Sequence, residues 1–225
     1  MDHEDLAQLL PMFVDLPGGF PLEILLEPIA EAIAGCYERM RQLPDDADRD
    51  WAEMVGYEES SKIEGLQGAS LVLSQTSMIA TIESLRMLHR FVSKYVPSLV
   101  LRTSDGTFQG LLHAESPLVG DTGRTEVEVI HAFANYFKHH AEWDLDVMQS
   151  SQCWAVRDRT RLTIETIRAA GVTDGDSLDL GCCLAALGDP ERRRVDVLAD
   201  AVDGWRDRLY AAYRQELSEA GYLED

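Results

Sequence analysis

The stretch Thr125–Asp146, TEVEVIHAFANYFKHHAEWDLD, decides how this chain is read. Thr125 followed three residues later by Glu128 has the form of a capping box, in which hydroxyl and carboxylate satisfy each other's backbone N–H groups. Glu126 and Glu128 lie where the positive end of a helix dipole favours acids. Val127, Ile130, Phe133, Ala134, Phe137 and Ala141 then recur at spacings of three and four, which predicts one amphipathic helix. Beside that apolar face runs a polar ridge of Glu128, His131, Asn135, Lys138, His139 and Glu142. The stretch holds three of the chain's six histidines, His131, His139 and His140.

Four readings of the ridge compete. The plainest is a solvated helix face. A second is a buried structural cluster, in which His131 bonds a neighbouring helix. A third is a metal site: Glu128 and His131 have the i, i+3 spacing of di-iron helical bundles. Such a site needs a second pair, and Glu83 to His89 has the wrong spacing. The four cysteines, Cys36, Cys153, Cys182 and Cys183, form no C-x-x-C. No metal and no cofactor are therefore expected.

The fourth reading is a ribonuclease-type site. The tract ANYFKHH resembles the core motif of HEPN domains: an arginine, a polar residue that is often asparagine, three further residues, then histidine. Asn135 matches the polar position, His139 matches the histidine, and Lys138 before it is similar to some members. The arginine position is Ala134, a departure from the pattern. The resemblance covers a helix pair from about residue 78 to 148. It implies dimerisation through the motif helices and a prokaryotic toxin–antitoxin or anti-phage setting. In active members, histidine and arginine cleave RNA without a metal. Here His139 would be the acid–base group, with Asn135 orienting and Lys138 supplying positive charge. His131, His140, Glu128 and Glu142 would be accessory. A lysine is a point charge and lacks the bidentate fork of arginine, so Lys138 is an unequal substitute.

Composition bears on the partner. Forty acids against 20 bases give a net charge of −20. That field repels nucleic acid and favours a basic protein partner. Hydrophobic residues are 45 % of the 225, enough to bury a core. Cys182 and Cys183 lie in an apolar run and read as small buried hydrophobes. With no signal-like leader and no span of about 20 apolar residues, the expectation is a cytoplasmic protein away from membranes.

The rest of the chain reads as helices. Residues 1–19, with two prolines and Gly18-Gly19, predict a strap-like arm that tucks Leu9, Leu10, Met12 and Phe13 onto a single helical domain over 20–225. Residues 20–43 predict a first helix, with Pro28 marking a kink or a late start. Residues 50–95 predict a very long helix, apolar all round from Leu71 to Leu88, with a break expected near Gly65 or Gly68. Within it, Glu58-Glu59-Ser-Ser-Lys62 reads as a wet face, and Gln67, Ser70, Ser74, Gln75, Thr76 and Ser77 form a run of polar and small residues. The insertion 97–124 contains Ser104-Asp105-Gly106, which predicts a hairpin turn or an ordered loop that could cover the polar ridge, bringing His113 and Glu115 near.

Helices over 150–170, ended by Gly171, and 178–187 follow. A last one is expected to start with Asp189 as cap and Pro190 in first position, and to stop at Gly221. Arg157, Arg159 and Arg161 make one basic segment; Arg192, Arg193 and Arg194 make another, in the expected first turn of the last helix. Both are candidates for binding phosphate or a partner.

The fold class is therefore all-α, a bundle of six to seven helices with two long central ones and one small irregular or hairpin insertion. Function divides in two. One reading is a catalytically degenerate interaction or sensing module that engages a protein partner, with a homodimer as one arrangement open to it. The other is a metal-independent endoribonuclease acting on RNA through His139, Asn135 and Lys138. Ala134 and the charge of −20 favour the first.

Overall fold

The computed structural model describes residues 6, 8–14, 21–44, 48–139, 158–172 and 179–223. Among them are eight α-helices and no strand: α1 Pro11–Val14, α2 Leu22–Arg41, α3 Arg49–Tyr95, α4 Phe108–His113, α5 Glu126–His139, α6 Asp158–Ala169, α7 Gly181–Ala186 and α8 Asp196–Glu219. The all-α class holds. Three of these helices have six residues or fewer, so the bundle itself is made by the five longer ones.

Helix α3 is the axis. Asp48 caps it, its carboxylate accepting from the N–H groups of Asp50 and Trp51 at 3.1 and 3.2 Å. It then runs 47 residues without interruption, about 70 Å at 1.5 Å per residue. The expected break at Gly65 or Gly68 does not occur. A glycine inside a helix costs about 1 kcal/mol relative to alanine, and packing along α2, α5 and α8 outweighs it. Gly68 is needed for close approach: a Cβ there would stand 2.2 Å from the Phe137 ring of α5. Met78, Ile82, Leu85 and Leu88 are wholly buried, but Ile79 and Met87 are 39 and 55 % exposed. The buried central helix suggested by the all-round apolar stretch is thus corrected to one that keeps an open face beside the helices packed on it. The buried hydroxyls of Ser70, Ser74 and Thr81 bond back to the carbonyls of Leu66, Ser70 and Ser77, which satisfies them inside the helix.

Helix α2 begins at Leu22, whose N–H donates to Asp203 of α8 at 3.0 Å. It carries Pro28 on an exposed position and shows no late start. Near its far end Arg39 meets Glu59 of α3 at 2.7 Å, and Lys62 meets the same carboxylate at 2.9 Å. Glu59 is buried, so the wet face read over residues 58–62 is corrected at that position. The two cations, Arg39 first, hold the Glu59 carboxyl down at about 2.

The insertion makes no hairpin. Asp105 turns its carboxylate forward onto the N–H and hydroxyl of Thr107, at 2.9 and 2.7 Å. Thr107 in turn caps α4 by accepting from the N–H of Gly110. The Asp-Gly step thus prepares a helix start and not a strand reversal. A single antiparallel bridge, Leu118 to Thr125, closes the segment. Helix α8 pins it: the Trp205 indole donates to the Ala114 carbonyl at 2.9 Å, and the Glu216 carboxylate accepts from Arg102 N–H and the Thr103 hydroxyl.

The start of α8 is also corrected. Asp189 accepts from the N–H groups of Arg193 and Arg194 at 2.6 and 2.7 Å, which curls the segment into a turn. Arg192 sits at φ 59°, in the left-handed region, and no helix passes through it. The helix begins at Asp196, so the three arginines precede it and do not occupy its first turn. Gly171 and Gly221 end α6 and α8 at positive φ, as read from the sequence; behind them Val172 and Tyr222 bond back to Ile167 and Leu217. The arm is a strap in part: Leu10 is buried and Phe13 packs on Phe91 with ring centres 5.4 Å apart, while Leu9 and Met12 stay exposed.

Candidate functional site

The capping box that starts α5 is formed. Thr125 N–H donates to Glu128 at 2.9 Å, and Glu128 N–H reaches the Thr125 hydroxyl at 3.4 Å. This tight start sets the rotation of α5. Val127, Ile130, Phe133 and Ala134 face the core, and the beginning of the polar ridge is turned toward α3 and α4.

Glu128 is 5 % exposed and is not on a solvated face. His113 of α4 lies 3.2 Å from its second oxygen, and Arg124 lies 3.9 Å from the same atom. His113 thus reaches the ridge. The other residue expected near it, Glu115, offers its backbone carbonyl to Arg208.

One turn on, Gln75 of α3 gathers the ridge. It is 3 % exposed. Its amide nitrogen lies 3.0 Å from His131 Nδ1, 3.0 Å from Asn135 Oδ1 and 3.3 Å from the His131 carbonyl. Its amide oxygen accepts from Lys138 Nζ at 2.6 Å. A primary amide has two donor hydrogens and one acceptor oxygen, and all are used here. Since the amide donates to Nδ1, His131 carries its hydrogen on Nε2. The Phe108 ring of α4 stands 5.5 Å from the imidazole, so the insertion does lie against the ridge.

Burial lowers His131 to about 4, with the Lys138 charge adding to the effect. Partial burial lowers Lys138 as well. Acid–base work near neutral pH is thereby closed to His131: it stays neutral and its basic nitrogen is occupied. Glu128 and His131 turn to different partners, so the i, i+3 pair does not converge on one point. Among the described residues no three histidine, cysteine or acidic side chains gather in metal-binding geometry.

The neutral His131 has a thermodynamic consequence. The unfolded chain takes up a proton near 6.5 and the folded one only near 4. Between these values the unfolded state binds more protons, so stability is complete above 6.5 and falls as the pH drops toward 4. For this half-buried ring the expected loss is about 1–2 kcal/mol. His89, lowered by burial beside Tyr213, adds a loss of the same sign. The denaturation midpoint measured from pH 7.5 to 4.5 should therefore decline, and His131→Gln should flatten part of that decline.

The remaining predicted residues are not assembled into one site. His139 is exposed at the end of α5 and is not among the partners of Gln75. Arg161 is exposed and lies 3.9 Å from Glu165. Arg192 pairs with Asp179 and Arg194 with Asp196, while Arg193 lies over the Tyr37 ring at 4.7 Å. These three arginines are held by local partners and not grouped on one phosphate-sized point. His140, Glu142, Arg157 and the Arg159 side chain lie outside the described residues.

In the sequence Gln75, the centre of the cluster, stands out only as one member of a polar run. The signal that marks it is a long amide within an all-round apolar stretch, since a buried amide must find partners. Cys182 and Cys183 are buried thiols as read, and burial pushes the Cys183 thiol upward. No described helix is long and apolar enough to cross a membrane. No protein-family model, curated protein or solved structure matches this chain.

Proposed function

We propose that this chain is a catalytically degenerate HEPN-like protein, an interaction or sensing component of a prokaryotic toxin–antitoxin or anti-phage defence system. The observation that supports this most is the engagement of the motif residues by Gln75. Asn135 and Lys138 are both bonded to that amide, at 3.0 and 2.6 Å, and so serve to join α5 to α3. Ala134, at the family's arginine position, is wholly buried. A guanidinium there would have to displace core packing, which costs far more than it returns. The net charge of −20 argues in the same direction, because it opposes approach of a phosphate backbone. The setting is the one the family resemblance implies.

The second reading, a metal-independent endoribonuclease, draws on the exposure of His139 and Lys138 at the end of α5. Incubating the purified chain with a mixed RNA pool in EDTA, beside His139→Ala, separates the two. The interaction reading expects no cleavage by either protein. Cleavage by the wild type that His139→Ala loses would sink it in favour of the nuclease.

A further inference from the structure

The first turns of α3 carry Trp51, Met54 and Tyr57, exposed at 45, 58 and 78 %. Their i, i+3, i+6 spacing places them along one inclined ridge of the helix. Large apolar side chains in a row on a surface mark a contact site more often than scattered ones do. The ridge runs into a groove of about 640 Å³ between α2, α3 and α7, of which Tyr57 is itself a wall. Tyr37, Met40 and Ile63 supply the apolar lining, with Leu180 on the α7 side. Glu64, Asp179 and Glu191 supply acids around it. Two cations belong to this side: Arg192 lines the groove and pairs with Asp179, and Arg193 lies over the Tyr37 ring and 3.8 Å from Glu191, so the uncompensated negative charge comes from the α3 side.

The charge around the ridge identifies what fits. From Asp48 to Glu64 there are six acids and two bases, Arg49 and Lys62. Both bases are already ion-paired, Arg49 with Glu53 and Lys62 with Glu58 and Glu59. A second copy of this chain would bring acids against acids, and a nucleic acid or anionic lipid would meet the same repulsion. An amphipathic helix with a basic face meets neither obstacle. Its apolar side can lie in the groove while lysines or arginines reach the acidic rim. We propose that this groove, with the Trp51–Met54–Tyr57 ridge at its mouth, docks a basic amphipathic helix of a protein partner. This rests on the interaction reading above and names the surface and the chemistry of the partner.

The test uses the full chain and a fluorescently labelled 18-residue peptide of leucine and lysine at amphipathic helical spacing, followed by anisotropy. Tyr57 and Glu191 are both exposed, so Tyr57→Ser and Glu191→Lys should keep the wild-type helical content. Each is expected to weaken peptide binding roughly tenfold or more, since one removes an aromatic anchor and the other reverses a rim charge. Glu219→Lys makes the same charge change at the end of α8, a helix whose last turns contact His89 near the other end of α3 and Arg102 in the insertion that follows it. It should stay within about twofold of wild type. If Glu219→Lys weakens binding as much as Glu191→Lys, only net charge is being read; the groove is then wrong while a basic partner stands. If the wild type does not bind the peptide, the docking proposal fails, and RNA cleavage still decides the catalytic question separately. If the wild type sediments as a dimer that Tyr57→Ser breaks, the occupant is a second copy and the proposal is overturned.

Discussion

Trp205→Ala should lower the folding free energy by about 3–5 kcal/mol, the usual cost of emptying a fully buried aromatic site. Trp205 is wholly buried in α8 and among the largest buried side chains of the core. Against a total stability of about 5–15 kcal/mol, such a loss is severe. The indole also holds the insertion, through its bond to the Ala114 carbonyl at 2.9 Å. Trp205→Phe keeps most of the packing but leaves that carbonyl without its donor, so it should cost less, about 1–3 kcal/mol. Urea unfolding followed by circular dichroism gives both values. Hydrogen exchange supplies a second reading, because release of Ala114 should raise exchange in α4 in both variants. Equal stability of Trp205→Ala and wild type would show that α8 does not organise this core.

Gln75→Leu is expected to cost about 2–3 kcal/mol, although it replaces one buried side chain with another of similar volume. Leucine restores contact area but not the donors. His131 Nδ1 and Asn135 Oδ1 lose their partner, and Lys138 loses its acceptor. Lys138 is exposed and can turn to water, so the cost falls mainly on His131 and Asn135. Gln75→Glu asks a sharper question. A carboxylate beside Nδ1 favours the imidazolium, so His131 should rise from about 4 toward the ordinary histidine range. Titration of the His131 ring protons by NMR reads this directly. An unmoved His131 would mean that the amide does not contact the ring in solution.

Local chemistry along the chain was enough for much of the architecture. The Thr125–Glu128 capping box, the apolar spacing of Val127 to Phe133, and the helix ends at Gly171 and Gly221 involve residues within a turn of one another, and each is found as read. The same holds for the burial of Met78, Ile82, Leu85 and Leu88 and of the Cys182-Cys183 pair, while the exposure of Ile79 and Met87 in the same apolar stretch was settled by which sides of the helix found a neighbour. Where the local signal had two outcomes, tertiary structure chose. Asp105-Gly106 serves a helix cap as readily as a hairpin. Asp189-Pro190 also opens a tight turn as readily as a helix, and the left-handed Arg192 marks which was taken.

What belongs to the tertiary structure alone is the pairing of residues distant in sequence. Helix α3 passes through Gly65 and Gly68 because neighbouring helices pack along it, an energy that no window of residues contains. Glu59 is buried because Arg39 approaches it from α2. Gln75, His131, Asn135 and Lys138 become one cluster only when α3 and α5 lie antiparallel, which brings position 68 beside 137 and 75 beside 131. Helical periodicity says which face of each helix is polar. Only the packing of one helix on another says which polar faces meet, because that is settled by burial and hydrogen-bond satisfaction across the core.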